Sequence, residues 1–201
     1  MAGLLLCCVV IDTRVRPRVT RFLEPIGKTL ASAGVTPTFM TSIGLILVIG
    51  GSIVISTGAV RSGGVIVLVG SILDGLDGSV ARAAGTVTGR GAYLDSVFDR
   101  VGEIAAFAGL GVAVASETGD EAVLLLIILA IGGAMLVPYI RSRAEVEGFN
   151  GKAGLMGRAE RVLLFTVGLM TGFIEPMLWI FVVLVWLTAL MRFIDTYRSF
   201  E

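Results

Sequence analysis

The sequence predicts an all-α membrane protein, with six transmembrane helices preceded by an amphipathic helix at the cytoplasmic surface. Of the 201 residues, 55% are hydrophobic and only 16% are charged. Soluble domains carry about a quarter charged residues. Six apolar stretches are long enough to cross a bilayer. Basic residues lie at alternate ends of these stretches, which is typical of a multi-pass membrane protein.

The six predicted spans fill most of the chain after residue 36. They cover residues 37–58, 62–83, 91–116, 121–145, 158–173 and 176–194, and the fifth is short. Thr36 and Pro37 predict where the first span begins, because a hydroxyl caps a helix and proline is favoured at its first position. We expect one membrane domain over residues 1–201, with the six-helix bundle at 37–196.

Residues 14–33 predict a helix of a different kind. Val15, Val19, Phe22 and Ile26 recur at helical spacing, and basic residues lie between them. This pattern is typical of an amphipathic helix on the cytoplasmic membrane surface. A cytoplasmic helix packed against the bundle is an equally good interpretation, and the two are compatible.

The loops predict the orientation in the membrane. Basic residues precede the first span, follow the sixth, and lie in the second-to-third and fourth-to-fifth loops. The opposite side has one arginine, Arg61, and four acidic residues: Glu117, Asp120, Glu121 and Glu175. By the positive-inside rule, both termini and the even-numbered loops are cytoplasmic. We therefore expect a plasma-membrane protein whose site faces the cytoplasm.

The composition argues against several classes of function. The net charge is zero, so bulk electrostatics give no reason to expect nucleic-acid binding. The chain has no histidine, which removes the commonest general base and the usual zinc ligand. The two cysteines, Cys7 and Cys8, are adjacent in sequence and make a poor structural disulfide.

Four aspartates stand out between the membrane segments. Asp74 and Asp77 are three residues apart, and Asp95 and Asp99 are four apart, so on helices each pair shares one face. Carboxylates that converge without cations between them repel strongly. Clusters of oxygen ligands suit hard divalent ions such as Mg²⁺ or Mn²⁺, and two ions would offset four negative charges.

The alternative is a set of salt bridges from these aspartates to Arg82, Arg90 and Arg100. Charges at membrane depth are costly and usually mark function. Because the segment carries surplus carboxylate on two facing helices, the sequence favours a metal site over salt bridges.

The spacing resembles the signature of the CDP-alcohol phosphotransferase family. The match reads Asp74-x-x-Asp77-Gly78-x-x-Ala81-Arg82, then eight residues, Gly91, three residues, Asp95, three residues and Asp99. Members move a phosphatidyl or similar group from a CDP-linked donor to an alcohol and release CMP. The resemblance implies that the four aspartates hold two divalent ions, Mg²⁺ or Mn²⁺, and that Asp99 is also the catalytic base.

The same resemblance implies contacts to the CDP-linked lipid. These contacts are Gly78, Ala81, Arg82, Thr88 and Gly91, together with the entry to the first span, Thr38, Phe39, Met40 and Thr41. It also implies a homodimer within the lipid bilayer. The substrates would be a CDP-linked lipid and a polar alcohol, with no nucleic acid involved.

The fourth-to-fifth segment bears on the acceptor alcohol. Its Tyr-x-Arg-x-Arg-Ala-Glu run from Tyr139, followed by Arg-Ala-Glu-Arg from Arg158, resembles phosphatidylinositol phosphate synthases. That resemblance implies transfer from CDP-diacylglycerol to inositol phosphate, with Arg141, Arg161 and Arg192 holding the acceptor phosphate. The alternatives are glycerol 3-phosphate as acceptor, an archaeal lipid as in archaetidylinositol phosphate synthases, basic residues that serve only as topology anchors, and, remotely, a divalent-cation carrier.

Overall fold

Helices account for all the regular secondary structure in the part of the chain that the structure describes. The structure is a computed structural model, and it describes residues 16–151 and 153–200. Within those residues it has eight helices: α1 Arg16–Ser32, α2 Pro37–Ser56, α3 Val60–Asp74, α4 Asp77–Ala84, α5 Gly89–Glu117, α6 Glu121–Val146, α7 Arg158–Thr171 and α8 Ile174–Arg198. The all-helical class is therefore confirmed. The first two residues of the predicted interfacial helix, 14 and 15, lie outside the described residues.

Within the described residues, four helical stretches are long and apolar enough to cross a membrane. They are Pro37–Ser56, Val60–Ala84, Glu121–Val146 and Ile174–Arg198, and they fit a multi-pass membrane protein. The predicted third and fifth spans do form helices, α5 and α7. However, α5 carries all but one of its charged residues in its first half, and α7 has only 14 residues. At 1.5 Å per residue, a helix of that length covers roughly 21 Å, less than the apolar core of a bilayer.

The second predicted span lies within Val60–Ala84, which contains a tightened turn that divides it into α3 and α4. The chain turns at Gly75 and Leu76, where the Leu76 amide donates to the carbonyl three residues earlier at 3.2 Å. Asp74 therefore ends α3 and Asp77 begins α4. Gly75 and Leu76 keep right-handed helical backbone angles, so the three-residue spacing still brings Asp74 and Asp77 to one side of the chain.

Glycines let α2 and α3 pack at very short range. A Cβ on Gly44 would lie 2.7 Å from the Cβ of Asp74 and 2.9 Å from the carbonyl oxygen of Gly70. Farther along, Gly51 and Gly63 make a similar close contact. Small residues at a helix crossing allow the backbones to approach. As a result, the end of α3 that carries Asp74 is pressed directly against α2.

Three phenylalanines anchor the short helix α7 in the bundle. The ring of Phe107 on α5 lies 4.5 Å from that of Phe165 on α7 and 4.9 Å from that of Phe181 on α8. All three side chains are buried. Aromatic pairs at these distances add to the stability gained from burial. This packing fixes which side of α7 faces α5.

Helix α1 packs on α4. Gly27 of α1 lies so close to Ser79 that an added Cβ would be 2.8 Å from the Ser79 backbone. Near this crossing, Leu30 and Val35 pack against a small cluster formed by Met40, Leu76 and Val80. The interpretation of this segment as a helix packed on the bundle therefore agrees with the structure. The helix runs through Pro25 as a single element.

Candidate active site

Three of the four predicted metal ligands converge at one point. Asp74 comes from the end of α3, and Asp95 and Asp99 come from consecutive turns of α5. One carboxylate oxygen from each lies within 4.8 Å of the others. These three carboxylates could together hold one divalent ion. The donor set is made of oxygen alone, which suits a hard divalent cation.

Asp77 lies beside this group rather than in it. Its Oδ2 accepts a 2.7 Å hydrogen bond from the hydroxyl of Thr41 on α2. It is near enough to Asp74 and Asp95 for the three charges to act on one another. Asp77 is thus placed to extend the acidic site toward α2.

Arg158, at the start of α7, is the closest cation to the carboxylates among the described residues. Its Nη2 lies 2.5 Å from Asp74 Oδ2 and 2.6 Å from Asp99 Oδ1. Asp99 Oδ1 is buried, and its contact with Arg158 lacks hydrogen-bond geometry. The sequence indicated Arg158 only as part of a basic motif and a marker of orientation. Its contact with two of the predicted metal ligands was missed.

A second ion pair lies one turn farther along both helices. Arg161 on α7 makes two bonds to Glu103 on α5, at 2.6 and 3.1 Å. The Arg161 side chain is 3% exposed and that of Glu103 is 11% exposed. Glu103 was also missed, although its position four residues after Asp99, inside an apolar segment, was a usable signal. Two arginines of α7 therefore face two carboxylates of α5.

A small cavity lies next to this double ion pair. Its volume is about 40 Å³, and Asp74, Asp99, Glu103 and both arginines line it together with apolar side chains from α2, α3, α5 and α7. A cavity of this size holds a few water molecules at most. The space in the bundle interior beside the carboxylates is therefore too small for a substrate molecule.

Several of the predicted contacts to the CDP-linked lipid lie around Asp77. The guanidinium of Arg82 folds back over Gly78, where an added Cβ would meet Arg82 Nη1 at 3.3 Å. Arg82 Nη2 also donates to the Ser79 hydroxyl at 3.2 Å. Thr41 reaches the same point through its bond to Asp77. The structure thus brings Thr41, Asp77, Gly78 and Arg82 together between α2 and α4.

The remaining predicted lipid contacts border this group. Thr38 and Phe39 are exposed on the first turn of α2, whereas Met40 is buried and Ala81 is half-buried. At the start of α5, the Thr88 hydroxyl accepts a 3.1 Å hydrogen bond from the amide of Gly91. Thr88 and Gly91 therefore define the beginning of the helix that carries Asp95 one turn later.

The three arginines predicted to hold the acceptor phosphate come from three helices. Arg141 on α6 is exposed and pairs with Glu145 at 2.8 Å. Arg192 on α8 is buried, and its guanidinium donates to the carbonyls of Ala153 and Val137 at 2.7 and 2.9 Å. The charges of Arg141 and Arg161 both act on Arg192. Arg141 and Arg161 therefore both lie in the neighbourhood of Arg192, and each of the three has a protein partner.

The sequence of this chain matches the CDP-alcohol phosphatidyltransferase family over residues 34–194. The chain belongs to this family. The predicted resemblance is confirmed, and the protein is a transferase of phospholipid biosynthesis. The matched region includes all four aspartates and the three predicted acceptor arginines.

Two relatives of this chain agree with this assignment. The archaetidylinositol phosphate synthase of Pyrococcus horikoshii is 32% identical over 190 residues, covering 94% of this chain and 98% of the relative. The phosphatidylinositol phosphate synthase of Mycolicibacterium smegmatis is 30% identical over 177 residues, covering 87% of this chain and 80% of the relative. The likeness thus extends over most of the length of both proteins.

Solved structures show the same fold. The phosphatidylinositol phosphate synthase of Mycobacterium tuberculosis with CDP-DAG bound superposes with a TM-score of 0.81 at 26% identity, covering 88% of this chain and 94% of that chain. The same enzyme in complex with manganese and citrate also gives 0.81, covering 87% and 88%. Together with the acidic cluster, these structures support a site for a divalent metal in this family member.

Proposed function

We propose that this transferase joins inositol phosphate to the lipid phosphate of a CDP-linked lipid and releases CMP. The observation that supports the proposal is that Arg161 lines the same cavity as Asp74 and Asp99, while Arg141 and Arg161 lie near enough to Arg192 for their charges to act on it. An arginine guanidinium binds a phosphate through paired, charge-assisted hydrogen bonds. The phosphate of the acceptor does not react, so its charge serves to bind and orient the attacking hydroxyl.

The carboxylates of this chain are suited to the transfer step. We propose that Asp74, Asp77, Asp95 and Asp99 hold two ions, Mg²⁺ or Mn²⁺. When bound, such ions offset the charge of the donor pyrophosphate and of the departing CMP. Asp99 accepts the proton of the acceptor hydroxyl, whose oxygen forms the new bond to the lipid phosphorus as the phosphorus–oxygen bond to CMP breaks. A carboxylate takes this role because the chain has no histidine.

The residues around Asp77 are suited to binding the CDP-linked donor. Arg82 beside Gly78 places a cation where a CDP phosphate can approach the backbone closely, and Thr41 holds Asp77 in position. We propose that Thr38, Phe39, Met40, Ala81, Thr88 and Gly91 complete the surface around the donor. The lipid part of the donor is diacylglycerol, as in the mycobacterial relatives, or archaeol, as in the Pyrococcus relative.

A comparison of acceptors tests the proposal. Purified protein is incubated with CDP-diacylglycerol or CDP-archaeol and with inositol phosphate, glycerol 3-phosphate or inositol, and CMP release is measured. We expect the highest kcat/KM with inositol phosphate. Uncharged inositol should be roughly ten- to a hundredfold poorer, because the arginines lose a charge-assisted partner. Preference for glycerol 3-phosphate would identify the alternative acceptor, and equal use of inositol would contradict a phosphate-binding role for the arginines.

We also propose the arrangement in the plasma membrane. Helices α2, α3–α4, α5, α6, α7 and α8 make six passes of a single domain, and α1 lies at the cytoplasmic interface. The active site then faces the cytoplasm, where CMP and a polar acceptor are soluble. The exposed apolar side chains of the bundle face lipid or, in a homodimer, a second copy of the chain.

Cysteine labelling tests the orientation. In a background where Cys7 and Cys8 are replaced by serine, Glu121→Cys and Glu147→Cys each place one thiol on an exposed helix end. On intact cells, a membrane-impermeant maleimide should label only Glu121→Cys. Glu147→Cys should react only after permeabilisation, because the basic ends of the helices remain inside. The reverse pattern would place the carboxylates on the outer face and contradict the proposed orientation.

A further inference from the structure

The guanidinium of Arg158 contacts two of the three carboxylates that converge. Nη2 lies 2.5 Å from Asp74 Oδ2 and 2.6 Å from Asp99 Oδ1. These residues belong to α3 and α5, so a single nitrogen of α7 joins both acidic helices. We propose that Arg158 is an internal counter-ion of the metal site, which a divalent ion must displace in order to bind. The proposal rests on the metal site of the proposed function.

Geometry makes the two cations compete. The three converging oxygens lie within 4.8 Å of one another, so an ion that binds them all must lie between them. Mg²⁺ requires about 2.0–2.1 Å to each oxygen. A guanidinium nitrogen that remains on Asp74 and Asp99 would then lie close to the ion, with like charges facing each other in a poorly hydrated interior. The aspartates therefore bind Arg158 or the ion, but not both in these positions.

The Arg158 side chain has room to move away from the carboxylates toward solvent, whereas the Arg161 side chain does not. The Arg158 side chain is 33% exposed and belongs to the first residue of α7. It follows Gly157, which caps the helix without a side-chain hydrogen bond. Arg161, by contrast, is 3% exposed and bound to Glu103. The pair of α7 arginines thus combines a fixed cation with a displaceable one.

Displacement has a thermodynamic consequence. The contact between Arg158 and the aspartates stabilises only the metal-free protein. Its free energy must be overcome when the ion binds, and the apparent affinity for the ion is lower by the equivalent factor. Arg158 therefore weakens metal binding while it keeps three neighbouring carboxylates from repelling one another. Once displaced, its guanidinium remains at the edge of the site and can pair with a phosphate oxygen of a substrate. Metal binding and binding of the anionic substrate then favour each other.

Metal titration of an Arg158 variant tests the proposal. The full chain in detergent is titrated with Mn²⁺ alone, and the dissociation constant is measured by calorimetry or by the EPR signal of free Mn²⁺. Arg158→Gln should bind Mn²⁺ roughly ten- to a hundredfold more tightly than the parent, because it removes a charge-assisted competitor. Arg158→Lys, which keeps the charge, should stay closer to the parent. Arg143→Gln removes an exposed arginine paired with Glu147 at 3.0 Å and should leave the constant unchanged.

The outcomes separate this proposal from the proposed function. If the parent and all variants fail to bind Mn²⁺, the proposed metal site itself is wrong. If the parent binds Mn²⁺ but Arg158→Gln binds it equally or more weakly, only the counter-ion role is overturned. Should Arg158→Gln fail to fold, a structure of the parent with Mn²⁺ bound would show whether the ion displaces Arg158. The Arg158–Asp74 distance should then exceed about 4 Å, the limit of an ion pair, and an intact contact would overturn the proposal.

Discussion

Replacing Asp99 with asparagine is expected to reduce CMP release by roughly a hundred- to ten-thousandfold, the range associated with loss of a general base. Asparagine has nearly the same shape but cannot accept the proton of the acceptor hydroxyl. It also provides a weaker oxygen ligand at the point where Asp74, Asp95 and Asp99 converge. Both effects lower kcat, which is measured with saturating CDP-diacylglycerol and acceptor.

The matched control is Asp120→Asn at the start of α6. Asp120 caps that helix by accepting from the amides of Ala122 and Val123 at 2.9 and 3.2 Å. Asparagine caps a helix about as well as aspartate, so this variant should keep parental activity. Asp74→Asn and Asp95→Asn should behave like Asp99→Asn. Parental turnover by Asp99→Asn, or undiminished turnover of the parent in excess chelator, would contradict the proposed mechanism.

The linear sequence was sufficient to predict the all-helical class and the convergence of Asp74, Asp95 and Asp99. The four-residue spacing of Asp95 and Asp99 fixes a shared face on any helix, and α5 is a regular helix of 29 residues. Thr36 caps α2 as predicted, accepting from the Phe39 amide at 3.3 Å. These features depend on local geometry, which neighbouring residues determine by themselves.

The break between α3 and α4 was not predictable in the same way. Membrane helices often contain glycine, so Gly75 in an apolar segment does not by itself indicate a turn. The turn depends on packing from elsewhere in the chain, with Asp74 held against Gly44 of α2 and Ser79 held against Gly27 of α1. Because these contacts are distant in sequence, Asp77 was expected on the same helix as Asp74.

The different environments of Arg158 and Arg161 also follow from tertiary packing. The two residues are three apart in one motif, and the sequence offers no reason to assign the convergent carboxylates to either. The rotation of α7 about its axis determines which arginine reaches the convergent carboxylates. The contact of Phe165 with Phe107 sets that rotation. Arg158 then reaches Asp74 and Asp99, while Arg161 is directed to Glu103.

Arg161→Ala is expected to destabilise the protein by about 3–5 kcal/mol, because it leaves Glu103 charged and unpaired in the interior. The unfolding midpoint in detergent should fall accordingly. Arg141→Ala provides the comparison, since it breaks an exposed pair with Glu145 that contributes about 0–1 kcal/mol. If Arg161→Ala unfolded at the parental midpoint, the buried pair would have no structural role.

A double variant separates this structural role from the proposed role in acceptor binding. Replacing both partners with apolar residues, Arg161→Met with Glu103→Leu, removes the unpaired charge and should recover most of the lost stability. If Arg161 also holds the acceptor phosphate, the KM for inositol phosphate should remain raised roughly ten- to a hundredfold. The KM for the CDP-linked lipid should hardly change. Recovery of both stability and acceptor KM would show that Arg161 acts only through Glu103, and acceptor binding would then rest on Arg141 and Arg192.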